Sequence, residues 1–410
     1  MEGEAEGMTP PNGRHILTIN TGSSSVKVAL YAAHGRTPER WWSGQAEGIG
    51  EDRGRLQFRD GSGELVQEDT PTLAGHDEAL RRLLGGMADV QLSAAGHRVV
   101  HGGSRYSQPQ RIDHDLLRTL RELIPIDPTH LPQAISAVET IDKTHPGLPQ
   151  VACFDTAFHR GMPRVAQLYP LPRELAEAGI IRYGFHGLSY DYIVHQLRAI
   201  DPHAAGGRLI VAHLGNGASM AAIRGGRGVD TTMGFTPAGG LMMGTRPGDL
   251  DPGVLLHLAM GHSMSLADLD DLVNRRSGLL GVSQLDSDMQ RLLAAEASNP
   301  RAAEAIELFC YQARKFLGAL AAVLGGLDTL VFTGGIGEHA ASVRQRICQG
   351  MEFLGIRLER AGNQANAPVI SARGSPVTVR VMPTDEDLMI ARHTHQLLWR
   401  APPRGTSGQA

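Results

Sequence analysis

Two apolar runs near the start of the chain enclose a cluster of small polar residues. The runs at residues 16–19 and 26–31 flank residues 20–25, whose sequence is NTGSSS. Apolar runs interrupted by Gly, Ser and Asn are typical of a β-hairpin. The turn offers backbone N–H groups and hydroxyls without bulky side chains, and Lys27 follows it, so the stretch suits a phosphate group. An ordinary exposed hairpin with a serine-rich turn is the alternative interpretation.

The same pattern returns about half a chain later. Residues 209–214 are apolar, residues 215–219 (GNGAS) are small, and residues 220–223 resume the apolar run. Coincidence between two glycine-rich turns is the alternative to a true repeat. We interpret the pair as two related domains, each with a phosphate-binding hairpin that faces a shared nucleotide cleft.

The rest of the chain alternates helical periodicity with short β-type runs. We predict short strands and turns at 41–68, and strands at 151–154, 329–332 and 377–381. We predict helices at 72–90, 116–123, 134–141, 189–200, 254–260, 266–275 and 301–324, and a last helix that opens at 384–387.

Local signals mark several helix ends. Ser189 is a natural N-cap, and Thr384 with Asp387 resembles a capping box. Gly325 is a C-terminal stop for the helix at 301–324. Residues 333–338 predict a glycine turn before a helix that resumes near Ala340, which would direct backbone N–H groups to a nucleotide.

Composition limits the class of protein. The chain has 410 residues with a net charge of −4, which allows two domains and argues against a general nucleic-acid binder. Three widely spaced cysteines, Cys153, Cys310 and Cys348, fit no disulfide framework or zinc pattern and predict a reducing cytoplasm. No signal peptide or membrane-spanning run is expected. Residues 1–14 and 401–410 have the composition of disordered tails.

Arg98 lies in a short β-type run that ends at a glycine pair, residues 102–103. Ligands of α/β domains sit at the carboxyl ends of strands, and a guanidinium group can bind a carboxylate through two hydrogen bonds. A simple surface charge is the alternative. His97 and His101 are four residues apart, but they do not lie on a predicted helix, so we do not expect a metal pair.

Four further residues carry candidate chemistry. Asp155 follows the strand at 151–154 and is either a site residue or a helix cap. His186 lies in a compact loop and could pack or contact a ligand. Arg246 is the one basic side chain of residues 230–252, a long glycine-rich segment without helical period, which is typical of a functional loop. Glu386 could face a metal ion, although helix capping alone accounts for the acids around it.

Common phosphate-binding motifs are missing. The sequence contains no G-x-x-x-x-G-K-[ST], and residues 335–337 lack the third glycine of the dinucleotide fingerprint. Any phosphate chemistry therefore belongs to another architecture.

Seven segments, in order along the chain, resemble signatures of the acetate kinase family. They are residues 19–27, 97–103, 154–159, 184–189, 213–219, 230–252 and 332–338. The resemblance covers roughly residues 15–399. It implies an α/β fold of duplicated ribonuclease-H-like (actin-like ATPase) domains flanking a nucleotide cleft. The implied domains are 15–155 with about 388–400, and 156–387.

This resemblance also implies an activity. It is the reversible, Mg²⁺-dependent transfer of the γ-phosphoryl group of ATP to acetate, which gives acetyl phosphate and ADP by direct in-line transfer, with Mn²⁺ as a substitute metal. The implied state is a cytoplasmic homodimer that binds small carboxylates and nucleotides, not nucleic acid or membranes. Alternatives are a propionate or butyrate kinase of the family, a related sugar kinase, and a non-catalytic actin-like nucleotide-binding protein.

By motif match, the resemblance also assigns residues. It implies the catalytic residues Asp155, His186 and Arg246, and the metal ligands Asn20 and Glu386. It implies a carboxylate site made by Arg98, Val100, Pro237 and His130. It implies the phosphate and nucleotide contacts Ser23, Ser25, Lys27, His213, Leu214, Gly215, Asn216, Gly217, Asp288, Met289, Gln290, Gly335, Ile336, Gly337, Glu338 and His339. The chain departs from the family pattern at Thr129, Gln290 and His339, where leucine, arginine and asparagine are usual.

Overall fold

The computed structural model describes residues 13–22, 24–35, 37–87 and 90–400. The chain forms two compact units, of which the first ends at Ala157 and resumes at Asp385, while the second spans Phe158–Thr384. Residues 385–387, assigned from the sequence to the second domain, thus lie in the first unit. Ser23 and nearly all of the two predicted tails lie outside the described residues. No helix of the described residues has the length and apolar character needed to cross a membrane.

The described part of the first unit contains an eight-stranded sheet. Its strands are β1 (His15–Thr21), β2 (Ser25–Ala32), β3 (Glu39–Glu47), β4 (Arg55–Asp60), β5 (Leu65–Asp69), β6 (Ala94–Val99), β7 (Gln110–Arg111) and β8 (Gln150–Phe154). Their spatial order is β5-β4-β3-β2-β1-β6-β8-β7. β1 and β2 form the predicted antiparallel hairpin, and β6 and β8 run parallel to β1.

Helices cover both faces of this sheet. They are α1 (His76–Gly85), α2 (His114–Glu122), α3 (Leu131–Thr144) and, after the second unit, α16 (Glu386–Trp399). The predicted helix at 72–90 is thus shorter, because glycines bound it on both sides, at Gly75 and Gly86. Gly96 lets α16 approach β6, since a Cβ atom there would lie 2.6 Å from Ile390.

The second unit repeats the central topology of the first. Its strands are β9 (Arg208–Leu214), β10 (Ala218–Arg224), β11 (Arg227–Thr231), β12 (Thr329–Thr333) and β13 (Thr378–Val381). Their order, β11-β10-β9-β12-β13, matches β3-β2-β1-β6-β8, with an antiparallel hairpin followed by two parallel strands. Both predicted hairpins and their repetition are therefore confirmed.

The helices of the second unit include the long predicted helix at 301–324. They are α4 (Arg164–Gln167), α5 (Arg173–Glu177), α6 (Gly187–Ile200), α7 (Pro202–Gly206), α8 (Pro252–Gly261), α9 (Leu266–Arg275), α10 (Gly278–Ser283), α11 (Met289–Ala295), α12 (Pro300–Leu324), α13 (Gly334–His339), α14 (Ala341–Cys348) and α15 (Arg360–Gln364). α12 ends at Gly325, whose φ of 69° is the left-handed conformation that glycine adopts easily. Residues 232–251, all of them described, contain neither helix nor strand, as predicted for the long loop.

The predicted N-cap at Ser189 is wrong. α6 begins two residues earlier, and its N-cap is His186 in a left-handed conformation with φ of 59°. Ser189 is buried within the first turn. The backbone of His186 is thus fixed at a helix start, which the sequence pattern did not indicate.

The predicted cap of the last helix and the predicted turn after β12 also need correction. Asp385, not Thr384 with Asp387, caps α16, because its Oδ1 accepts a hydrogen bond from the backbone N–H of Leu388 at 2.8 Å. The predicted glycine turn after β12 is itself the short helix α13, whereas the next helix begins at Ala341, which confirms the predicted start near Ala340.

Candidate active site

Three predicted site residues meet at one edge of the first sheet. Asn20 lies near the end of β1, Arg98 near the end of β6, and Asp155 directly after β8. These strands are parallel neighbours, so their carboxyl ends lie side by side, where α/β domains bind ligands.

Arg98 is the centre of a hydrogen-bonded cluster. It donates from Nη2 to Oδ2 of Asp155 at 2.6 Å, and from Nε to the two carboxylate oxygens at 3.2 and 3.1 Å. Its Nη1 donates to Oδ1 of Asn20 at 3.1 Å. The Asn20 amide in turn donates to Oε2 of Glu386 at 3.2 Å, and this oxygen lies 3.6 Å from Nε of Arg98. The four residues therefore form one connected group.

Burial and neighbouring charges shift the pKa values of this group. The Asp155 side chain is fully buried, and that burial, reinforced by Glu386 but opposed by Arg98, raises the pKa of Asp155 to about 6. Burial alone would lower the pKa of Arg98, but the carboxylates of Asp155 and Glu386 raise it overall. At neutral pH the cluster thus holds two carboxylates and one guanidinium group.

The first turn of α16 adds a buried acid. Oδ1 of Asp387 is buried and has no hydrogen-bond partner among the described residues. Burial, and then the negative charge of Asp385, raise the pKa of Asp387 to about 7, while Lys27 lowers it. Because Lys27 lies across the hairpin from Asn20, its ammonium group and the acids of α16 belong to the same neighbourhood.

The first hairpin turn is closed by backbone hydrogen bonding. The N–H of Gly22 donates to the carbonyl oxygen of Ser25 at 2.8 Å. Nε2 of His76, at the start of α1, lies 2.8 Å from the carbonyl oxygen of Gly22 and fixes that turn from outside. Lys27 is exposed on β2.

The carboxylate-site candidates divide between the two units. Val100 is buried one residue beyond β6. His130 directly precedes α3, and its Nδ1 donates to Oδ1 of the buried Asp127 at 2.7 Å. The Thr129 hydroxyl donates to the same oxygen at 3.2 Å. Pro237, the remaining candidate, lies in the long loop of the second unit.

Polar and aromatic side chains of the second unit fix the position of the His186 ring. Its Nδ1 lies 2.9 Å from Oγ of Ser219, which also hydrogen-bonds the hydroxyl of the buried Tyr190. The ring of His186 stacks on the ring of His213 with centroids 4.3 Å apart. The imidazole is therefore held in one orientation.

Arg246, which lies in the long loop, is close to His186. Its Nη1 donates to the carbonyl oxygen of Pro237 at 2.7 Å. A Cβ atom on Gly217 would lie 2.8 Å from Nη2 of Arg246 and 3.3 Å from Nε2 of His186. The side chains of Arg246 and His186 thus converge over a glycine of the second hairpin turn.

A cavity of about 600 Å³ opens beside this turn, within the range of small-molecule sites. Its lining residues come from the hairpin turn, α11 and α13. They are Gly215, Asn216, Asp288, Met289, Gln290, Leu293, Gly335, Ile336, His339 and Ala340.

Of the thirteen predicted phosphate and nucleotide contacts that belong to the second unit, eight line this cavity and five do not. Glu338 folds back, and its Oε1 accepts a hydrogen bond from the N–H of Gly334 at 2.9 Å. Leu214 and Gly337 are buried and do not line the cavity. His213 and Gly217 lie with His186 and Arg246 instead.

Sequence reasoning missed several supporting residues. Asp127 and Ser219 hold the two candidate histidines, and His76 holds the first hairpin turn. Of these three residues, only Asp127 could have been found from the sequence, because it precedes the candidate residue His130 by three positions. Leu293 and Ala340 complete the cavity without any distinctive motif.

Comparisons with known proteins agree on one family. The family model described as the acetokinase family matches residues 15–392. Acetate kinases of Methylocella silvestris and Rhodopseudomonas palustris are each 48% identical to this chain, and the matches cover 94% and 93% of it and 98% of each relative.

Solved structures add the fold. The crystal structure of Porphyromonas gingivalis acetate kinase has a TM-score of 0.83 at 38% identity, covering 94% of this chain and all of that one. A propionate kinase from Francisella tularensis has a TM-score of 0.86 at 34% identity, covering 93% and 99%. Together with the repeated topology, this confirms the predicted α/β class of duplicated actin-like domains. The chain therefore belongs to the acetokinase family.

Proposed function

We propose that this chain is an acetate kinase, which reversibly transfers the γ-phosphoryl group of ATP to acetate. The observation that carries the proposal is the Arg98–Asp155 pair. In this pair, Asp155 fixes the guanidinium group of Arg98 at the carboxyl ends of the parallel strands. The described contacts of Arg98 use one N–H of each of its three nitrogens. A guanidinium group has five N–H groups, so two remain for a substrate carboxylate.

Asp155 acts here as a positioning anion. Its carboxylate holds two nitrogens of Arg98, and a pKa of about 6 keeps it ionised at neutral pH. The substrate carboxylate is itself ionised, so no strong general base is required for its attack. Val100, a buried residue two positions after Arg98 in the chain, offers an apolar surface for the methyl group of acetate.

The ligand set near Asn20 fits a magnesium ion that arrives with the nucleotide. Glu386 is partly exposed, and the two carboxylates of the cluster exceed its single guanidinium group by one negative charge. Mg²⁺ takes one or two protein oxygens together with water and phosphate oxygens, so Glu386 and Asn20 suffice. When bound, the ion would neutralise charge on the transferring phosphoryl group. No group of three or more His, Cys, Asp or Glu ligands occurs within the described residues.

The second unit supplies the remaining charge and the nucleotide cavity. Arg246 and His186 both point N–H-bearing atoms over Gly217, which suits donation to equatorial phosphoryl oxygens. Met289 and Ile336 give the cavity apolar walls for a base, and Asp288 offers a carboxylate to ribose hydroxyls.

The transfer balances without a proton. A carboxylate oxygen forms a bond to the γ-phosphorus as the bond from that phosphorus to the β–γ bridging oxygen breaks. The electron pair leaves with ADP, and the product is an acyl phosphate. Positioning and charge neutralisation are therefore the main tasks of the protein.

Two further properties belong to this proposal. We propose that the protein is a homodimer and that it acts in the cytoplasm. Its partners are small carboxylates and nucleotides, in keeping with its net charge of −4.

The direct test is turnover with MgATP and a series of acids from formate to butyrate, with the acyl phosphate trapped as its hydroxamate. We expect kcat/KM to be highest with acetate. A maximum at propionate or butyrate would contradict acetate as the substrate. ATP binding without turnover of any acid would support the non-catalytic alternative instead.

A variant pair makes this test residue-specific. Arg246→Ala should lower kcat by about 100-fold or more, because it removes charge from the developing transition state. Arg118→Ala is the matched control, since Arg118 forms an exposed ion pair with Asp115. Equal kcat in both variants would contradict the role proposed for Arg246.

A further inference from the structure

A buried chain of hydrogen bonds connects the hydroxyl of Tyr190 to the ring of His186. Tyr190 lies in α6, one helical turn after His186. Its hydroxyl hydrogen-bonds Oγ of Ser219 in β10, and this oxygen lies 2.9 Å from Nδ1 of His186. Tyr190 and Ser219 are both fully buried. Within the described part of the chain, neither hydroxyl group has a further hydrogen-bond partner.

The number of protons fixes the direction of this chain. Its two hydrogen bonds need two protons, and the two hydroxyl groups already supply them. A proton on Nδ1 of His186 would be a third, so one buried proton would be left without an acceptor, which folded proteins avoid. Burial raises the pKa of Tyr190, so its hydroxyl stays protonated. Tyr190 therefore donates to Ser219, Ser219 donates to Nδ1, and the ring proton of His186 lies on Nε2.

The charge beside His186 also favours a neutral ring. A Cβ atom on Gly217 would lie 2.8 Å from Nη2 of Arg246 and 3.3 Å from Nε2 of His186, so the guanidinium group and the imidazole approach the same point. A second positive charge at that point would be repelled. The ring of His213 stacks on that of His186, which restricts its rotation.

Aromatic packing holds Tyr190 in place. The ring centroids of Phe158 and His159 lie 5.9 and 5.4 Å from that of Tyr190. Nε2 of His159 donates to the carbonyl oxygen of Phe185 at 2.9 Å, which ties this cluster to the residue before His186. Burial lowers the pKa of His159 to about 4, so it adds no positive charge at neutral pH.

We propose that Tyr190, acting through Ser219, is a positioning residue that holds His186 in the neutral tautomer with its proton on Nε2. The proposal deepens the function proposed above, and its kinetic half rests on that function. In this tautomer Nε2 donates to an oxygen of the transferring phosphoryl group. The opposite tautomer would direct a lone pair at that oxygen and lose the hydrogen bond.

Tyr190 contributes by fixing the Ser219 hydroxyl. A serine hydroxyl alone can rotate and accept a proton from Nδ1 as readily as it donates one. The proton of Tyr190 occupies a lone pair of the Ser219 oxygen and polarises its O–H bond, which strengthens the hydrogen bond from Ser219 to Nδ1. Tyr190 thus acts on His186 without contacting its ring nitrogens.

Nitrogen NMR of the full chain, prepared with isotope-labelled histidine, measures the tautomer directly, because protonated and unprotonated ring nitrogens resonate far apart. The chain has 18 histidines, so comparison with the His186→Gln variant identifies the resonances of His186. In the wild type at pH 8 we expect a protonated Nε2 and an unprotonated Nδ1. A proton on Nδ1, alone or together with one on Nε2, would overturn the proposal.

Ser219→Ala removes the donor to Nδ1, so both tautomers of His186 should appear in its spectrum. We expect kcat to fall by about 30-fold, less than the roughly 10⁴-fold loss that follows a complete change of tautomer. KM for ATP should change by less than about twofold, because Ser219 does not line the nucleotide cavity. A spectrum with the Nε2 tautomer alone, or a wild-type kcat, would overturn the proposal.

Tyr190→Phe tests whether Tyr190 acts through Ser219. We expect kcat to fall by about fivefold, because the hydrogen bond from Ser219 to Nδ1 loses its polarisation. In the double variant Tyr190→Phe, Ser219→Ala, kcat should lie within about twofold of that of Ser219→Ala, since Tyr190 then has nothing to act through. Losses that multiply in the double variant would show two independent effects and overturn the proposed chain.

Tyr183→Phe is the matched control. Tyr183 is a buried tyrosine of the same unit, and its hydroxyl donates to the carbonyl oxygen of Gly179 at 2.8 Å. The variant loses a buried hydrogen bond outside the chain, so we expect wild-type kcat and an unchanged tautomer of His186. A loss of kcat as large as that of Tyr190→Phe would assign both losses to packing and overturn the role of Tyr190.

The spectra distinguish this inference from the kinase function, because they do not depend on turnover. The expected tautomers without phosphorylation of any carboxylate would contradict the kinase function and leave the assignment of the His186 proton standing. Carboxylate phosphorylation by a wild type with a proton on Nδ1 would overturn the inference and leave the kinase function standing.

Discussion

Arg98 donates hydrogen bonds from both Nε and Nη2 to the carboxylate of Asp155, and the shortest of these contacts is 2.6 Å. Arg98 lies in β6 and Asp155 directly follows β8, its parallel neighbour, and the two strands end at paired residues. This arrangement fixes the guanidinium plane while Nη1 reaches Asn20 at 3.1 Å. The orientation of Arg98 therefore depends on the charge of one buried carboxylate.

Asp155→Asn should lower kcat/KM for acetate by about 100-fold, because an amide nitrogen facing Nη2 repels the guanidinium group that the carboxylate held. Affinity for ATP should change by less than about twofold if the cavity of the second unit holds the nucleotide base. Steady-state kinetics with MgATP and direct measurement of ATP binding give both numbers.

Asp115→Asn is the control for this variant, since Asp115 is an exposed acid in a surface ion pair. The pH profile adds a second readout. The pKa of Asp155 is about 6, so the wild-type kcat/KM should fall as the pH drops through this value, and the variant should lack this step. Normal turnover in Asp155→Asn would exclude an essential role for its charge.

Gly217→Ala should displace the side chains of Arg246 and His186 from their present positions. The added methyl group would lie 2.8 Å from Nη2 of Arg246 and 3.3 Å from Nε2 of His186. Both are ends of side chains that can move, so the fold should keep its stability. We expect kcat to fall by about 100-fold, as small displacements of catalytic groups can cause.

Gly206→Ala provides the matched control, because a Cβ atom there would meet no other atom within 4 Å. Thermal unfolding should be similar for Gly217→Ala and the wild type. A large loss of stability, or an unchanged kcat, would show that the glycine serves the backbone rather than the site.

The sequence pattern was sufficient for much of the fold, for physical reasons. Both hairpins combine apolar strands with turns of small residues, and α12 has a long apolar period that ends at Gly325. Such local signals do not depend on partners far along the chain. The repeated strand order follows once the two hairpins are recognised.

Other features depend on tertiary contacts and escaped prediction. His186 adopts a left-handed backbone at the start of α6, where Ser189 had the better capping chemistry. The support of His186 comes from Ser219, 33 residues away, and no local pattern links the two. Leu293 and Ala340 line the cavity simply because α11 and α13 bring them there.

Ionisation of the buried Asp387 side chain should lower the stability of the folded state. Its pKa is raised to about 7, first by burial and then by Asp385, whereas an acid in an unfolded chain titrates near about 3.9. The folded state therefore holds a proton that the unfolded state has released between these two values. The resulting stabilisation is complete below about pH 4 and is lost as the pH rises through about 7.

Asp387→Asn should remove this dependence, because the amide does not ionise. In EDTA at pH 8 the free energy of unfolding should rise by about 2 kcal/mol in the variant. This is below the limit of about 4 kcal/mol that corresponds to a pKa shift of about three. At pH 4 the gain in the free energy of unfolding should be small.

Tryptophan fluorescence during urea unfolding measures the effect in the first unit. The three tryptophans of the chain, Trp41, Trp42 and Trp399, all lie in that unit. Asp270→Asn, an exposed acid on α9, should leave the same transition unchanged at both pH values. A variant less stable than the wild type at pH 8 would mean that the attraction between Asp387 and Lys27 outweighs the cost of burying the carboxylate.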